Sequence, residues 1–382
     1  MTRRLLPLLL LPVITVARLH AQSDSAFDAV ARRGIDEVYN LEFERADSTF
    51  DTLKQINPRH PAGLFFHSMV EWWRIMIDID NDAHDKEFFD GLDRVIALCD
   101  SILDKNPNDV TALFFKGGAI GFKGRLKFHR DDYFAAANAG RKALPLIQQV
   151  AELAPDNSDV LLGTGMYNYY ADVIPEEYPF AKPLLLFIPP GDKKKGLQEL
   201  TQAAEKGKFA SVEATYFLLQ TYYFYEKDYP KALDLATELT GKYPNNMLFQ
   251  KYLGRCYVVL GDWSHVHEVF SDIVARTKRN QRGYNASAER EAEYYLGMCA
   301  MVRRDYDEAL KQFYRCDETS RGLDKQGASG FMVMANLKVG MMYDLQGKRE
   351  LAIQQYRKVL GMKEYVDSYA QAEQYLKKPF MQ

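Results

Sequence analysis

The sequence predicts an all-α fold, an α-α superhelix in which one helix pair repeats along the chain. Three observations favour it. Helix-like segments end with an apolar residue five positions before a proline, in the pairs Leu53/Pro58, Ile102/Pro107, Val150/Pro155 and Leu239/Pro244. A second pattern repeats with fixed spacing in the triplets Gly254/Val266/Phe270, Gly297/Ala309/Phe313 and Gly340/Ala352/Tyr356. The alternation of apolar and polar residues that marks strands is missing, so the chain reads as a stacked helical array.

The N-terminus is typical of a secretory signal peptide. Two arginines precede the apolar stretch from Leu5 to Val16, which is too short to span a bilayer. Cleavage between Ala21 and Gln22 would remove residues 1–21, and Ala17 offers an alternative cleavage site. We therefore expect an exported bacterial protein, either periplasmic or associated with the outer membrane, in which no later segment is apolar for long enough to cross a membrane.

Residues 22–363 are predicted to form the repeat array. The predicted helix pairs cover residues 26–56, 61–107, 110–154, 212–243, 245–277, 287–319 and 331–363. Another pair opens at Val160, but five prolines within an insertion at about residues 175–190 interrupt it, and helical periodicity resumes at Lys193. Residues 364–382 are predicted to form a capping helix and tail, because the last unit of a solenoid otherwise exposes an apolar face.

The later units resemble tetratricopeptide repeats. One unit carries Leu296-Gly297, Ala309 and Phe313 at the characteristic positions, whereas Gln220 replaces the first-helix glycine in an earlier unit. In such repeats the small residues let two antiparallel helices approach closely, and the aromatic residues fill the space between pairs. The resemblance implies a non-catalytic scaffold whose first helices line a concave groove for protein or peptide segments.

First-helix positions of such repeats give the candidate residues of a partner-binding groove. They are Phe217, Thr221, Phe224, Lys251, Arg255, Tyr294, Met298, Met301, Leu337, Met341 and Asp344. Methionine and aromatic side chains suit an adaptable groove. Lys251 and Arg255 could attract a carboxylate, but neighbouring units lack the basic and Asn residues of a clamp for chaperone tails, so that partner is not predicted.

The middle of the chain shows a second, remote resemblance. Tyr167, Ile174-Pro175 and Gly191-Asp192 lie within residues 165–225, which look like part of the eukaryotic inclusion-body-clearance family of outer mitochondrial membrane repeat proteins. That family's role in clearing misfolded or lipid-associated aggregates implies that this chain, too, is a binding protein.

The proline-rich insertion and its approach are unusually aromatic and apolar. Its candidate residues are Tyr167, Tyr170, Tyr178, Leu184 and Phe187. Two interpretations stay open: the insertion folds back to fill the groove of the array, or it contacts a partner or a lipid. The second interpretation makes a lipid- or small-molecule-binding protein the alternative to a protein scaffold.

Other chemistries are disfavoured. The formal charge of -3 with scattered acids and bases offers no basic stripe to nucleic acid. Asp78, Asp80 and Asp82 have calcium-loop spacing, but Ala83 and Phe89 replace the glycine and the bidentate glutamate of such a loop. We predict no metal and no cofactor. No catalytic motif stands out, which leaves a hidden hydrolase as a minor alternative.

Four smaller points concern local structure. The segment Gly191 to Gly196 has phosphate-loop glycines without the Lys-Ser/Thr that hold phosphate. The four glycines between Gly117 and Gly124 are expected to mark a helix face that a neighbour approaches closely, and Asp131 to cap a helix beside His129. The four cysteines are expected to be buried free thiols, with two disulfides as the alternative.

Overall fold

The computed structural model describes residues 11–177 and 189–381, with side chains from residue 25 onward. Within these ranges the protein contains seventeen α-helices and no strand. The chain divides into an N-terminal unit, Met1–Leu218, and a C-terminal unit, Leu219–Gln382, with the division inside one helix. The prediction of an all-α fold is therefore confirmed.

The helices of the N-terminal unit follow the predicted pairs. They are α1 (Leu11–Tyr39), α2 (Phe43–Ile56), α3 (Ala62–Ile77), α4 (Asp85–Leu103), α5 (Val110–His129), α6 (Tyr133–Leu153), α7 (Val160–Glu177), α8 (Lys193–Lys206) and α9 (Ser211–Thr221). The first two helices meet around Leu41, which takes a left-handed conformation with φ 60°. Helix α7 continues through Pro175 to Glu177, so the helix runs slightly further into the proline-rich insertion than the prolines suggested.

A π-helical turn, Tyr222–Glu226, follows α9 and opens the C-terminal unit. Its remaining helices are α10 (Tyr229–Lys242), α11 (Met247–Leu260), α12 (Trp263–Lys278), α13 (Ala286–Val302), α14 (Tyr306–Leu323), α15 (Gly330–Leu345), α16 (Arg349–Leu360) and α17 (Ser368–Lys377).

Helix packing follows the order of the chain in both units. From α1 to α8, and again from α10 to α17, each helix packs against the next. Contacts also join α1 to α3, α3 to α5 and α5 to α7, and in the other unit α11 to α13, α13 to α15 and α15 to α17. In each unit the odd-numbered helices thus form one layer, which we call the inner layer. This is the arrangement of tetratricopeptide-type helix pairs, as the repeat pattern predicted.

A glycine and an aromatic ring hold each of four helix pairs together. A Cβ atom placed on Gly254, Gly297 or Gly340 would lie 2.7, 2.6 or 2.5 Å from the ring sixteen residues later. The first pair of the chain follows the same rule: a Cβ on Gly34 would lie 2.3 Å from Phe50. The sequence analysis predicted this helix pair at residues 26–56 but did not identify its Gly34/Phe50 contact, which shows that the repeat begins with α1.

Close approach also explains the glycines around the predicted insertion. A Cβ on Gly191 would lie 2.3 Å from the carbonyl oxygen of Asn168, and one on Gly196 would lie 2.5 Å from the backbone nitrogen of Tyr169. Asp192 caps α8, because its carboxylate accepts a hydrogen bond from the backbone N–H of Lys195 at 2.9 Å. The phosphate-loop-like spacing therefore serves the packing of α8 on α7.

The predicted cap of α6 differs in the structure. Asp132, not Asp131, caps α6 by accepting a hydrogen bond from the N–H of Ala135 at 3.1 Å, while Asp131 takes a left-handed turn with φ 60°. The acidic loop before α4 provides no side-chain cap for that helix. Arg130 instead organises the loop, because its guanidinium pairs with Asp85 at 2.8 Å and donates to backbone carbonyls of the loop.

All four cysteines are free and buried, as expected. Burial raises the pKa of the Cys99 and Cys256 thiols to about 12. These cysteines therefore remain thiols at neutral pH and act as small apolar side chains.

Helix α17 lies at the C-terminal end and packs against α15 and α16. The Arg349 guanidinium donates to the carbonyl oxygens of Tyr375 and Leu376, both at 2.7 Å. The N–H of Phe380 donates to the Asp344 carboxylate at 2.8 Å, which ties the tail to α15. The apolar side of the last helix pair is thereby covered.

The glycine contacts predict opposite effects for two substitutions to alanine. Gly297→Ala forces a methyl group against the buried Phe313 ring, so the overpacking cost of ~1–3 kcal/mol exceeds the ~1 kcal/mol gained in helix propensity. Gly322→Ala, on α14 with nothing within 4 Å of its Cβ, is the matched control and should stabilise the protein by about 0.5–1 kcal/mol. Denaturant unfolding measures both, and a neutral or stabilising Gly297→Ala would contradict the packing.

Candidate functional site

The inner layer of the N-terminal unit encloses a cavity of about 370 Å³. Its walls come from α1, α3, α5, α7 and the beginning of α9, with α6 contributing one side. This volume lies in the range of small-molecule sites, which are mostly apolar and carry a few convergent polar groups. The same description fits the lining of this cavity.

Aromatic rings form much of the cavity wall. Phe65 contacts Phe115 and Phe122 edge to face, with ring centroids 5.3 and 5.9 Å apart. Trp73 contacts Tyr39 in the same manner at 5.0 Å. Aromatic pairs favour such edge-to-face arrangements, so the rings of the wall support one another's orientation. Phe128 lies at the cavity with 46% of its surface exposed, which marks a side open to solvent.

The glycine-rich face of α5 forms another part of the wall. A Cβ on Gly117 would lie 2.7 Å from Ile147, and one on Gly124 would lie 2.8 Å from Ala139, so α6 does approach these two positions closely. Gly121 differs, because a Cβ there would meet nothing within 4 Å. The predicted close approach therefore holds at the ends of the glycine run, while Gly121 leaves space that belongs to the cavity.

A buried polar cluster lies in the otherwise apolar lining. Glu213 on α9 accepts a hydrogen bond from Nη1 of Arg125 at 2.6 Å and another from the hydroxyl of Tyr39 at 2.9 Å. The Arg125 guanidinium also lies over the rings of Trp72 and Phe217, 4.7 Å from each centroid. Ion pairing and cation–π contacts together hold the guanidinium in place.

Asp159 is the second carboxylate of the lining. It is buried just before α7 and accepts hydrogen bonds from the backbone N–H groups of Phe209 at 2.9 Å and Ala210 at 3.0 Å. These N–H groups precede α9, so Asp159 fixes the point at which α9 begins.

Helix α9 brings the end of the N-terminal unit back to its beginning. Besides the bond from Tyr39 on α1 to Glu213, the rings of Trp73 on α3 and Tyr216 on α9 lie 5.6 Å apart. Phe66 and Phe209 add another ring contact at 5.8 Å. The five inner helices α1, α3, α5, α7 and α9 thus surround the cavity.

The predicted groove residues of the C-terminal unit lie on its inner helices, but few of them are open to solvent. Phe224 is 49% exposed and lies beside Tyr252, whereas Thr221 is completely buried. Phe217 belongs to the N-terminal unit, where its ring packs under Arg125. Partner binding by these residues stays a prediction.

Lys251 and Arg255 bind one shared carboxylate inside the C-terminal unit. Arg255 donates two hydrogen bonds to Glu291 at 2.5 and 2.7 Å, and Lys251 lies 2.8 Å from the same group. Burial alone would raise the pKa of Glu291, but the two cations outweigh it and hold the pKa at about 2. The two cations that were expected to attract a partner's carboxylate therefore bind the protein's own Glu291.

The remaining groove candidates are mainly core residues. Leu337, Met341 and Met301 are buried, and the rings of Tyr294 and Phe331 contact at 5.6 Å. Met298 is partly buried against the same cluster. The buried Asp344 carboxylate accepts hydrogen bonds from Arg349 and Tyr356 as well as from the tail.

The candidate residues of the insertion fall into two groups. Tyr167 and Tyr170 lie on α7 and line the cavity. The Tyr167 hydroxyl donates to the carbonyl oxygen of Pro189. Tyr178, Leu184 and Phe187 lie outside the described residues, so neither interpretation of the insertion is tested.

Sequence reasoning missed the cavity and its polar cluster. The sequence signals that point to this region are the run of glycines in α5 and the many aromatic residues of α3 and α5. No local pattern relates Arg125 to Glu213, which are 88 positions apart, or Tyr39 to Glu213, which are 174 apart.

Among the described residues, none of the helices combines the length and the apolar character needed to cross a bilayer.

The shared carboxylate in the C-terminal unit gives a testable prediction. Glu291→Gln leaves two buried cations without a counter-charge, which should cost ~3–5 kcal/mol of unfolding free energy at pH 7. The pKa of Glu291 is lower in the folded state than its ordinary value of 4.5, so its contribution is present above that value and disappears as the pH falls towards about 2.

Denaturant unfolding between pH 7 and pH 2 measures both effects. The difference between wild type and Glu291→Gln should shrink as the pH falls. Glu318→Gln, on an exposed position of α14, serves as the control and should change little. A Glu291→Gln variant as stable as wild type at pH 7 would show that the buried pairing is unimportant.

Comparisons with known proteins find only remote structural similarity. No protein-family model matches this chain, and no curated protein sequence matches it. A structure of a human IFIT1 dimer with m7Gppp-AAAA is 14% identical with a TM-score of 0.39, covering 93% of this chain and 86% of that one. Yeast Tom70 is 13% identical with a TM-score of 0.39, covering 96% and 85%.

A bacterial structure is similar to the same degree. The C-terminal part of a TPR repeat-containing protein from Cytophaga hutchinsonii is 14% identical with a TM-score of 0.35, covering 76% of this chain and 95% of that one. The repeat architecture of this chain is established by its own order of helix packing, and it is that of an all-α array of tetratricopeptide-type helix pairs.

Proposed function

We propose that this chain is a non-catalytic binding protein whose N-terminal unit encloses an apolar ligand. The cavity surrounded by the inner helices is the observation that carries the proposal. Apolar cavities of about 150 Å³ stay dry and bind small apolar molecules, and this one is more than twice as large. A ligand there would gain about 25 cal/mol for each Å² of apolar surface removed from water.

The contacts around the cavity support binding to a preformed site, without movement of its walls. The walls are fixed by ring contacts, and Glu213 ties α9 to α1 and α5 at 2.9 and 2.6 Å. A preformed site loses little conformational entropy when it is filled. Ligand affinity is therefore expected to come mainly from the apolar surface that is buried.

The state of the lining carboxylates supports a role without catalysis. Glu213 already accepts hydrogen bonds from Arg125 and Tyr39, and Asp159 accepts two from backbone N–H groups. A general base needs a carboxylate within hydrogen-bond reach of the proton that it removes. Both carboxylates are instead used to hold helices together.

Protein-segment binding by the C-terminal unit is the second candidate. Val259 on α11 and Val302 on α13 both follow the repeat glycine of their helix by five positions, and they are 41% and 43% exposed. Apolar side chains at equivalent positions of successive inner helices suit a row of contacts to an apolar peptide. A scaffold role of this kind would operate within a complex of the bacterial envelope.

The cavity proposal predicts a loss of binding when the open position on α5 is filled. Gly121→Leu places a side chain in the cavity, where its Cβ meets no neighbour, so the fold should persist while binding of a twelve-carbon alcohol falls at least about tenfold. Gly241→Leu is the matched control: it also lies in a helix with nothing within 4 Å of its Cβ, but on α10, away from the cavity.

Isothermal titration with 1-dodecanol measures the binding of wild type and both variants, and circular dichroism checks their folding. Equal binding by wild type and Gly121→Leu would contradict the cavity as the site. Protein capture by the C-terminal unit, if it occurs, should be the same in both variants, which separates the two candidate functions.

We also propose that the chain is exported into the bacterial envelope, on the strength of its N-terminal sequence alone. Expression in a Gram-negative host followed by fractionation should place the protein in the periplasm or with the outer membrane. Sequencing of the mature N-terminus should begin at Gln22, or at Arg18 if cleavage follows Ala17. Retention of the unprocessed chain in the cytoplasm would contradict this proposal.

A further inference from the structure

We propose that the cavity selects a neutral amphiphile: a single aliphatic chain that ends in an uncharged oxygen group, such as an alcohol, an ester or an amide. This inference rests on the proposed function and names the class of ligand. It follows from the charges of the described residues that line the cavity and from a hydrogen-bond donor group there, the Arg125 guanidinium.

The charge of the lining disfavours anions. Among the residues that the structure describes, the charged ones that line the cavity are one cation, Arg125, and two carboxylates, Glu213 and Asp159, which together carry a formal charge of -1. Glu213 and Asp159 are both buried, where charges interact more strongly than in water. A fatty-acid carboxylate entering the cavity would meet this excess of negative charge, and Arg125 is already neutralised by its ion pair with Glu213.

Neither carboxylate among the described lining residues is free to bind a cationic head group. Glu213 accepts hydrogen bonds from Arg125 and Tyr39, and Asp159 from the N–H groups of Phe209 and Ala210. An ammonium group would have to displace one of these contacts and would lose its hydration as well.

Arg125 offers a donor for a neutral oxygen. Its guanidinium carries five N–H donors, and the ion pair with Glu213 is formed through Nη1. Its side chain retains 15% exposure at the cavity, so the guanidinium is not sealed off. Aromatic rings lie within 5.0 Å of it on several sides, which restricts a ligand's oxygen to the edge of the guanidinium. An alcohol or ester oxygen can accept a hydrogen bond there without adding charge.

The test uses the purified full chain and three probes that share one chain length: 1-dodecanol, dodecanoate and dodecylammonium. All are titrated at pH 7.5 below their aggregation concentrations, with isothermal titration and tryptophan fluorescence as readouts, since Trp73 lines the cavity. We expect dodecanol to bind at least about tenfold more tightly than either ion, a difference that corresponds to ~1.4 kcal/mol.

Charge variants then test the cause of the preference. Glu213→Gln removes one negative charge and frees Arg125, so the ratio of dodecanoate affinity to dodecanol affinity should rise at least about tenfold. Tyr39→Phe is the matched control, because it removes the other hydrogen bond to Glu213 without changing the charge, and it should leave the preference unaltered. If Glu213→Gln does not fold, Asp159→Asn should shift the preference in the same direction.

The outcomes separate this inference from the function on which it rests. If wild type binds dodecanoate or dodecylammonium as tightly as dodecanol, or if a folded charge variant does not shift the preference, the selection of neutral ligands is wrong while an apolar ligand site stands. If none of the three probes binds, the proposed function itself is wrong.

Discussion

The N-terminal unit depends on one buried carboxylate, Glu213. When each helix pair packs only against its neighbours, this packing does not by itself bring the first and last helices of the array into contact. Glu213 on α9 joins Tyr39 on α1 and Arg125 on α5, which are the beginning and the middle of the inner layer. A buried carboxylate needs such partners, because it is costly without them. Because the partners of Glu213 come from α1 and α5, their hydrogen bonds hold these helices and α9 together around the cavity.

The two units use the same helix pairs with different results. In the C-terminal unit, buried residues such as Leu337 and Met341 fill the inner layer, and α17 covers its last pair. In the N-terminal unit, Gly121 on the inner helix α5 has no side chain, and the space that a side chain would fill belongs to the cavity. A difference of a few side chains thus separates a filled core from a site that can hold a ligand.

Much of the fold could be predicted because its determinants are local and periodic. The spacing from Gly297 to Phe313 sets one helix pair, and repetition of that spacing predicts the array. The cavity could not be predicted in the same way, since it needs contacts between residues as distant in sequence as Tyr39 and Glu213. The groove assignment identified the inner helices, but residues such as Arg255 are bound by the protein's own Glu291, which periodicity does not reveal.

Helix α9 closes the inner layer on α1 through Glu213, and a double-mutant cycle with Tyr39→Phe and Glu213→Gln, followed by denaturant unfolding, tests this closure. We predict that the two substitutions are coupled by about 1 kcal/mol or more, because their side chains are hydrogen-bonded in a buried position. Additive effects, within ~0.3 kcal/mol, would contradict the closure of the inner layer.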